Sequence, residues 1–146
     1  SVGKTHLAAA AANKVHNQGG HVRFLVVADL LDYLRAGYQS SSALSFDRRF
    51  AELRRCKLVV LDDLGSHSST AWAQEKLFQL LNHRYVAREA TIITISKYDS
   101  DHLDERLKTR LFDGSVATII DLDLPSYRGA GAPPKAPRRS TRRREN

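Results

Sequence analysis

Cysteine is nearly absent from these 146 residues, with Cys56 standing alone. One thiol cannot close an internal disulfide, so the fold relies on its core, and a reducing cytoplasm is the expected setting. Cys56 itself reads as a buried, inert thiol. No apolar run reaches 18 residues, which excludes a helical membrane span, and no secretory leader opens the chain. No internal repeat is visible. The six histidines show no metal-ligand spacing with one another or with Cys56, so no metal is expected beyond Mg²⁺ carried by a nucleotide. A basic fold is missing too, despite a net charge of +7. Most of that charge sits in Lys135, Arg138, Arg139, Arg142, Arg143 and Arg144, opposed there only by Glu145.

What is present suits one domain. A hydrophobic content of 42% supports a single core at this length. Residues 1–128 read as that domain. Residues 129–146, rich in Gly, Pro, Ala and Arg and without periodicity, read as a disordered basic tail. The tail suits phosphate contacts by counterion release, and equally a plain solubilising role.

The first residues carry the chemistry. Gly3-Lys4-Thr5 is the closing third of G-x-x-x-x-G-K-[ST], a loop whose backbone N–H groups cradle phosphates. There the Lys reaches the β- and γ-phosphates, the Thr hydroxyl holds Mg²⁺, and a helix starting at the same place adds its dipole. His6 belongs to the same turn. The first Gly of the pattern would lie five residues before Gly3, outside this sequence.

Alone, Gly-Lys-Thr is a weak signal. Its partner is Leu58-Val59-Val60-Leu61-Asp62-Asp63-Leu64-Gly65, an apolar run ending in acids and a Gly. This reads as a buried parallel strand with carboxylates at its C-terminal tip, where ligands of open α/β sheets bind. The chemistry needs one carboxylate for the Mg²⁺ shell, fitting Asp62, and a second to orient or deprotonate a water, fitting Asp63. An isolated run of this kind fits a bare strand–turn junction as well. The upstream loop tips the reading to nucleotide binding.

The rest alternates. A helix is expected from Thr5 to about Asn17, a strand over His21–Val27, and a helix from Asp29 with Leu30, Leu31, Leu34 and Tyr38 on one face. A further helix carries Phe46, Phe50 and Leu53 into the acid-tipped strand. Ala71–Arg88 reads as a long helix with Ala73, Leu77, Leu80 and Leu81 inward, and Ala90–Ile95 as the next strand. Asp101–Phe112 reads as one short helix and Val116–Leu122 as a last strand. Alternating strands and helices argue an α/β fold with a parallel sheet covered on both faces.

These residues resemble the AAA+ helicase-loader family of the DnaC type and its close relative, the IstB transposition helper. The likeness runs from Gly3 to Arg128. Its most particular pieces are Gly-Lys-Thr-His-Leu-Ala at 3–8, Ala-Asp-Leu-Leu-Asp-Tyr-Leu-Arg at 28–35, the acid-tipped strand at 58–65 and the helix from Trp72 to Tyr85. Asp62-Asp63-Leu64-Gly65 with Trp72, and the later Asp-x-x-x-Glu-Arg-x-x-x-Arg, look nearer the loader branch. The resemblance implies a P-loop NTPase of RecA-like, AAA+ type with strand order 5-1-4-3-2. It implies ATP bound between neighbouring subunits of a homo-oligomer, and a replicative helicase (or, in the other branch, a transposase) as partner.

Three further positions follow from that match. Ser96 falls where the family places a polar residue, usually Asn, near the γ-phosphate or attacking water. Ser lacks the amide donors, so hydrolysis is expected to be slow unless Thr94 or Lys97 substitutes; a residue that merely ends a strand reads the same. Arg110 matches the family's arginine finger, worth roughly 10³–10⁵ in rate. By spacing alone, Arg106 and Arg110 are also two arginines on one helix face. Arg128 resembles the second sensor, contacting phosphate in cis. Arg35, Tyr38, Arg48 and Arg49 could line a single-stranded-DNA path, though a solvated helix face explains them more cheaply. A third reading is an ATP-binding switch that scarcely hydrolyses. Because the family's first strand lies between its fourth and fifth, its absence from this sequence leads us to expect poor ATP binding and low stability for residues 1–146 alone.

Overall fold

The computed structural model describes residues 2–39, 43–65 and 70–124, without the side chains of 38, 39, 43 and 44. The expected second sensor Arg128, the basic tail and the Tyr38 side chain lie outside the described residues.

Helices and strands alternate as α1 Lys4–Asn17, β1 Val22–Val26, α2 Val27–Gln39, α3 Ala43–Arg55, β2 Leu58–Leu64, α4 Ala71–Val86, β3 Ala90–Ile95, α5 Lys97–Asp101 and α6 Glu105–Leu111. The strands form a parallel sheet in the order β1-β2-β3. That corresponds to the 4-3-2 half of the order the resemblance implied.

The central strand β2 explains the layering. Its alternate residues point to opposite faces. Leu58 and Val60 meet Ala8 and Ala12 of α1, whose small side chains one turn apart let the helix lie close to the sheet. Val59 and Leu61 enter the larger core with Leu30, Leu31 and Leu34 of α2, Phe46, Phe50 and Leu53 of α3, Leu77, Leu80 and Leu81 of α4, and Leu107 of α6. The sheet is covered on both faces, as the apolar run predicted.

One irregularity falls at the acidic tip. Leu61 pairs with Ile93 and Leu64 with Ile95, so β2 advances three residues while β3 advances two. The extra residue makes a bulge at Asp62-Asp63, and such bulges re-aim side chains.

Three sequence expectations are corrected. The helix expected over Asp101–Phe112 starts only at Glu105, and a separate short helix, α5, precedes it; polar caps start each one. Ser96 caps α5 by accepting from the Asp99 N–H, and Asp104 caps α6 by accepting from the Arg106 N–H. Val116–Leu122 forms no strand. After a turn in which Val116 and Ala117 both donate to the Asp113 carbonyl, it runs without ladder bonds, and Ile119 and Ile120 stay exposed. β-branching favours a strand only where another strand offers a ladder, and none lies beside it among the described residues. Finally, α2 begins at Val27 rather than Asp29.

Candidate functional site

The site starts at the first turn of α1. Gly3 has φ 93°, a left-handed conformation that glycine adopts without penalty, and its carbonyl accepts from the Leu7 N–H at 3.0 Å. Among the described residues, no side chain caps this end. The amino-terminal N–H groups of a 14-residue helix therefore remain available to an anion. Lys4 is half-buried, while Thr5 and His6 are exposed.

The loop end and the acidic tip meet. The Thr5 hydroxyl donates to both carboxylate oxygens of Asp62, at 3.1 and 3.0 Å, across 57 residues of chain. Asp62 is only 5% exposed. Thr94 on β3 holds the same carboxylate, its hydroxyl donating to Asp62 Oδ1 at 2.6 Å. The Thr94 oxygen also accepts from the Asp63 N–H at 2.9 Å. Asp63 lies on the exposed side of the strand tip, at φ 61°. This left-handed conformation is uncommon outside glycine, although Asp tolerates it better than most residues. Thr5 and Asp62 also suit Mg²⁺: both offer hard oxygen donors, and a 3.0 Å oxygen spacing matches adjacent ligands on an octahedral ion with bonds of about 2.1 Å.

The other expected residues sit further out. Ser96 is half-buried at the end of β3; beyond capping α5, its hydroxyl bonds the Asp99 carboxylate. Arg110 is held by α4: its Nε donates to Asn82 Oδ1 at 3.1 Å and its guanidinium lies over the Phe78 ring, 5.3 Å from the centroid. The Arg106 guanidinium also lies over that ring, 4.6 Å from the centroid. Of the residues considered for a DNA path, Arg35 lies over Trp72 and Arg49 over Tyr33.

The family model described as "IstB-like ATP binding protein" matches residues 1–129. The chain belongs to that family. It is 30% identical, over 96% of its own length and 55% of the other, to a Mycobacterium tuberculosis protein named as ATP-binding in an insertion sequence. Among solved structures it superposes on a replication initiator DnaA bound to AMPPCP and single-stranded DNA with a TM-score of 0.68 at 26% identity, covering 83% of this chain and 37% of that one. The DnaC helicase loader gives a TM-score of 0.60 at 29% identity, covering 73% and 63%. The fold is thus that of a P-loop AAA+ protein. The chain spans about half the length of the curated relatives it matches.

Two residues of this IstB-like domain carry more than their sequence suggested. Thr94 grips the acidic tip, whereas the sequence offered it only as a substitute for Ser96; the β3 register that puts it opposite the bulge is invisible without the sheet. Arg84 was not singled out at all, yet it is 1% exposed. Its guanidinium donates to the carbonyls of Leu53 (2.7 Å), Cys56 (3.1 Å) and Ala90 (2.6 Å) and to the Thr91 hydroxyl (2.9 Å). The available signal was its place on the apolar stripe of α4, one turn after Leu80. Burial pushes its pKa down, with Glu89 opposing. Cys56 is fully buried, as expected, and burial raises its thiol pKa.

Proposed function

We propose that this chain is the ATP-binding and ATP-hydrolysing module of a DNA-replication accessory protein, working as one subunit of a homo-oligomer. The observation carrying this reading is the Thr5–Asp62 contact, because it joins the two segments that a triphosphate–magnesium site requires. In this reading the phosphates lie at the start of α1, flanked by Gly3 and His6, with Lys4 on the β- and γ-phosphates. Thr5 and Asp62 would hold Mg²⁺, which neutralises charge developing on the phosphates. Asp63 orients the attacking water, and Ser96, at the end of β3, serves as the polar group on the γ-phosphate side. Arg110 serves the neighbouring subunit's ATP, and Arg128 contacts phosphate in cis.

The client is read as a replicative helicase on single-stranded DNA, supported by the Asp62-Asp63-Leu64-Gly65 tip and the likeness to the DnaC loader. A transposase is the second reading, favoured by the insertion-sequence relative, whose match extends over 96% of this chain. Co-purification from cells with one client or the other separates them.

ATP turnover of the full-length protein, with and without single-stranded DNA, tests the enzyme reading. Lys4→Ala is expected to abolish nucleotide binding. Arg110→Ala is expected to leave binding within about twofold while slowing turnover by about 10³-fold or more. Binding without turnover in the parent would establish a switch instead, and absence of nucleotide binding would sink the reading.

A further inference from the structure

We infer that Thr94 is the positioning residue of this site: it closes the β2 bulge and thereby sets where the two carboxylates point. The inference rests on the nucleotide reading given above. Bulges are rare in parallel sheets and re-aim side chains where they occur. Here the slip between the Leu61–Ile93 and Leu64–Ile95 pairs leaves two β2 residues, Asp62 and Asp63, opposite the single β3 residue Thr94. An extra residue in a strand normally loses its ladder partner. The Thr94 side chain takes that partner's place, its oxygen accepting from the Asp63 N–H at 2.9 Å. Its proton is committed at the same time to Asp62 Oδ1 at 2.6 Å. The hydroxyl is then used in both directions, and Thr94 is only 7% exposed, so water competes poorly for either bond.

The two bonds have different consequences. The first holds Asp63 at φ 61°, which turns its side chain out to the exposed side of the tip. The second holds the buried Asp62 carboxylate so that its oxygens face the Thr5 hydroxyl. One side chain therefore fixes the spacing between the carboxylate assigned to the cation and the carboxylate assigned to water. Valine, which matches threonine in shape but has no hydroxyl, would keep the packing and lose both bonds.

Two measurements on full-length protein test this. The first is amide hydrogen exchange resolved at single residues. In the parent the Asp63 N–H is expected to be protected; in Thr94→Val it is expected to exchange at least tenfold faster, while the ladder amide of Leu61 keeps its protection. The second is steady-state ATP turnover against Mg²⁺ concentration. Thr94→Val is expected to lower kcat at least tenfold and raise the Mg²⁺ concentration for half-maximal rate, with KM for ATP within about threefold. Thr94→Ser, which retains the hydroxyl, is expected to recover most of both. Unchanged Asp63 exchange in Thr94→Val overturns the assignment whatever the turnover shows, as does unchanged kcat and Mg²⁺ dependence in an active parent. If the parent lacks turnover, the hydrolysis reading fails separately, and the exchange measurement still decides the role of Thr94. Should Thr94→Val unfold, the exchange pattern of Thr94→Ser decides: an Asp63 amide as exposed as a loop amide there counts against the hydroxyl as its partner.

Discussion

At Gly65 the backbone has φ 106°, and a Cβ added there would lie 2.4 Å from Cβ of Asp99. Both facts tie the end of β2 to the first turn of α5, where Asp99 bonds the capping hydroxyl of Ser96. Gly65→Ala must accept a left-handed conformation and displace Asp99 together, with strain of about 1–3 kcal/mol from the backbone alone. Urea denaturation of the variant should show a loss of at least that size. The acids at this tip were legible in the sequence because an apolar run ending in Asp-Asp-Leu-Gly has few uses beside a Gly-Lys-Thr loop. The bulge that divides their directions was not legible. It depends on the β2–β3 register, which no local pattern encodes.

At the scale of elements, α4 and its Arg84 connect the sheet to the helices. Five acceptors from the end of α3, the chain entering β2 and the start of β3 converge on that one guanidinium. Arg84→Met would keep much of the volume and leave buried carbonyls without donors, at a cost of about 1–3 kcal/mol for a group left unsatisfied. A loss of about 3 kcal/mol overall is expected in chemical denaturation; a change under about 0.5 kcal/mol would show that water replaces the guanidinium there. Arg84→Lys should recover little, since an ammonium cannot copy a planar fork.

The elements themselves were readable in proportion to how local their causes are. The strands β2 and β3 and the stripe of Ala73, Leu77, Leu80 and Leu81 followed from apolar patterning and are present with nearly the expected bounds. The short α5 was missed and the start of α6 was placed too early, because both starts rest on side-chain caps, Ser96 and Asp104, within a stretch whose polar residues resemble any helix surface. Val116–Leu122 was misread because β-branching reports a preference that only a neighbouring strand can realise.

Over the molecule as a whole, one polar tie gives a pH dependence. Tyr85 at the end of α4 donates to the Asp113 carboxylate at 2.5 Å, just past α6. This bond, together with donors from Ser115, lowers the Asp113 pKa to about 2, and raises that of Tyr85. In an unfolded chain an Asp carboxyl titrates near about 3.9. The folded state therefore binds this proton less readily, and the stabilisation is fully present above about pH 4 and lost as pH falls towards 2. Urea midpoints of the parent and Asp113→Asn should differ most at pH 5–7 and converge near pH 2. A constant gap across that range would contradict the assignment.

The bond from Thr5 to Asp62 has a consequence for how a cation would enter. A hydroxyl that gives its proton to a carboxylate offers a metal the lone pair on its other side, so the ion need not tear the helix from the strand to reach both oxygens. In the proposed reading the two anchors stand at the spacing that adjacent ligands of the ion would require. Arrival of the ion would be an exchange of partners between surfaces that stay put, with the proton contact serving as a spacer between helix and strand.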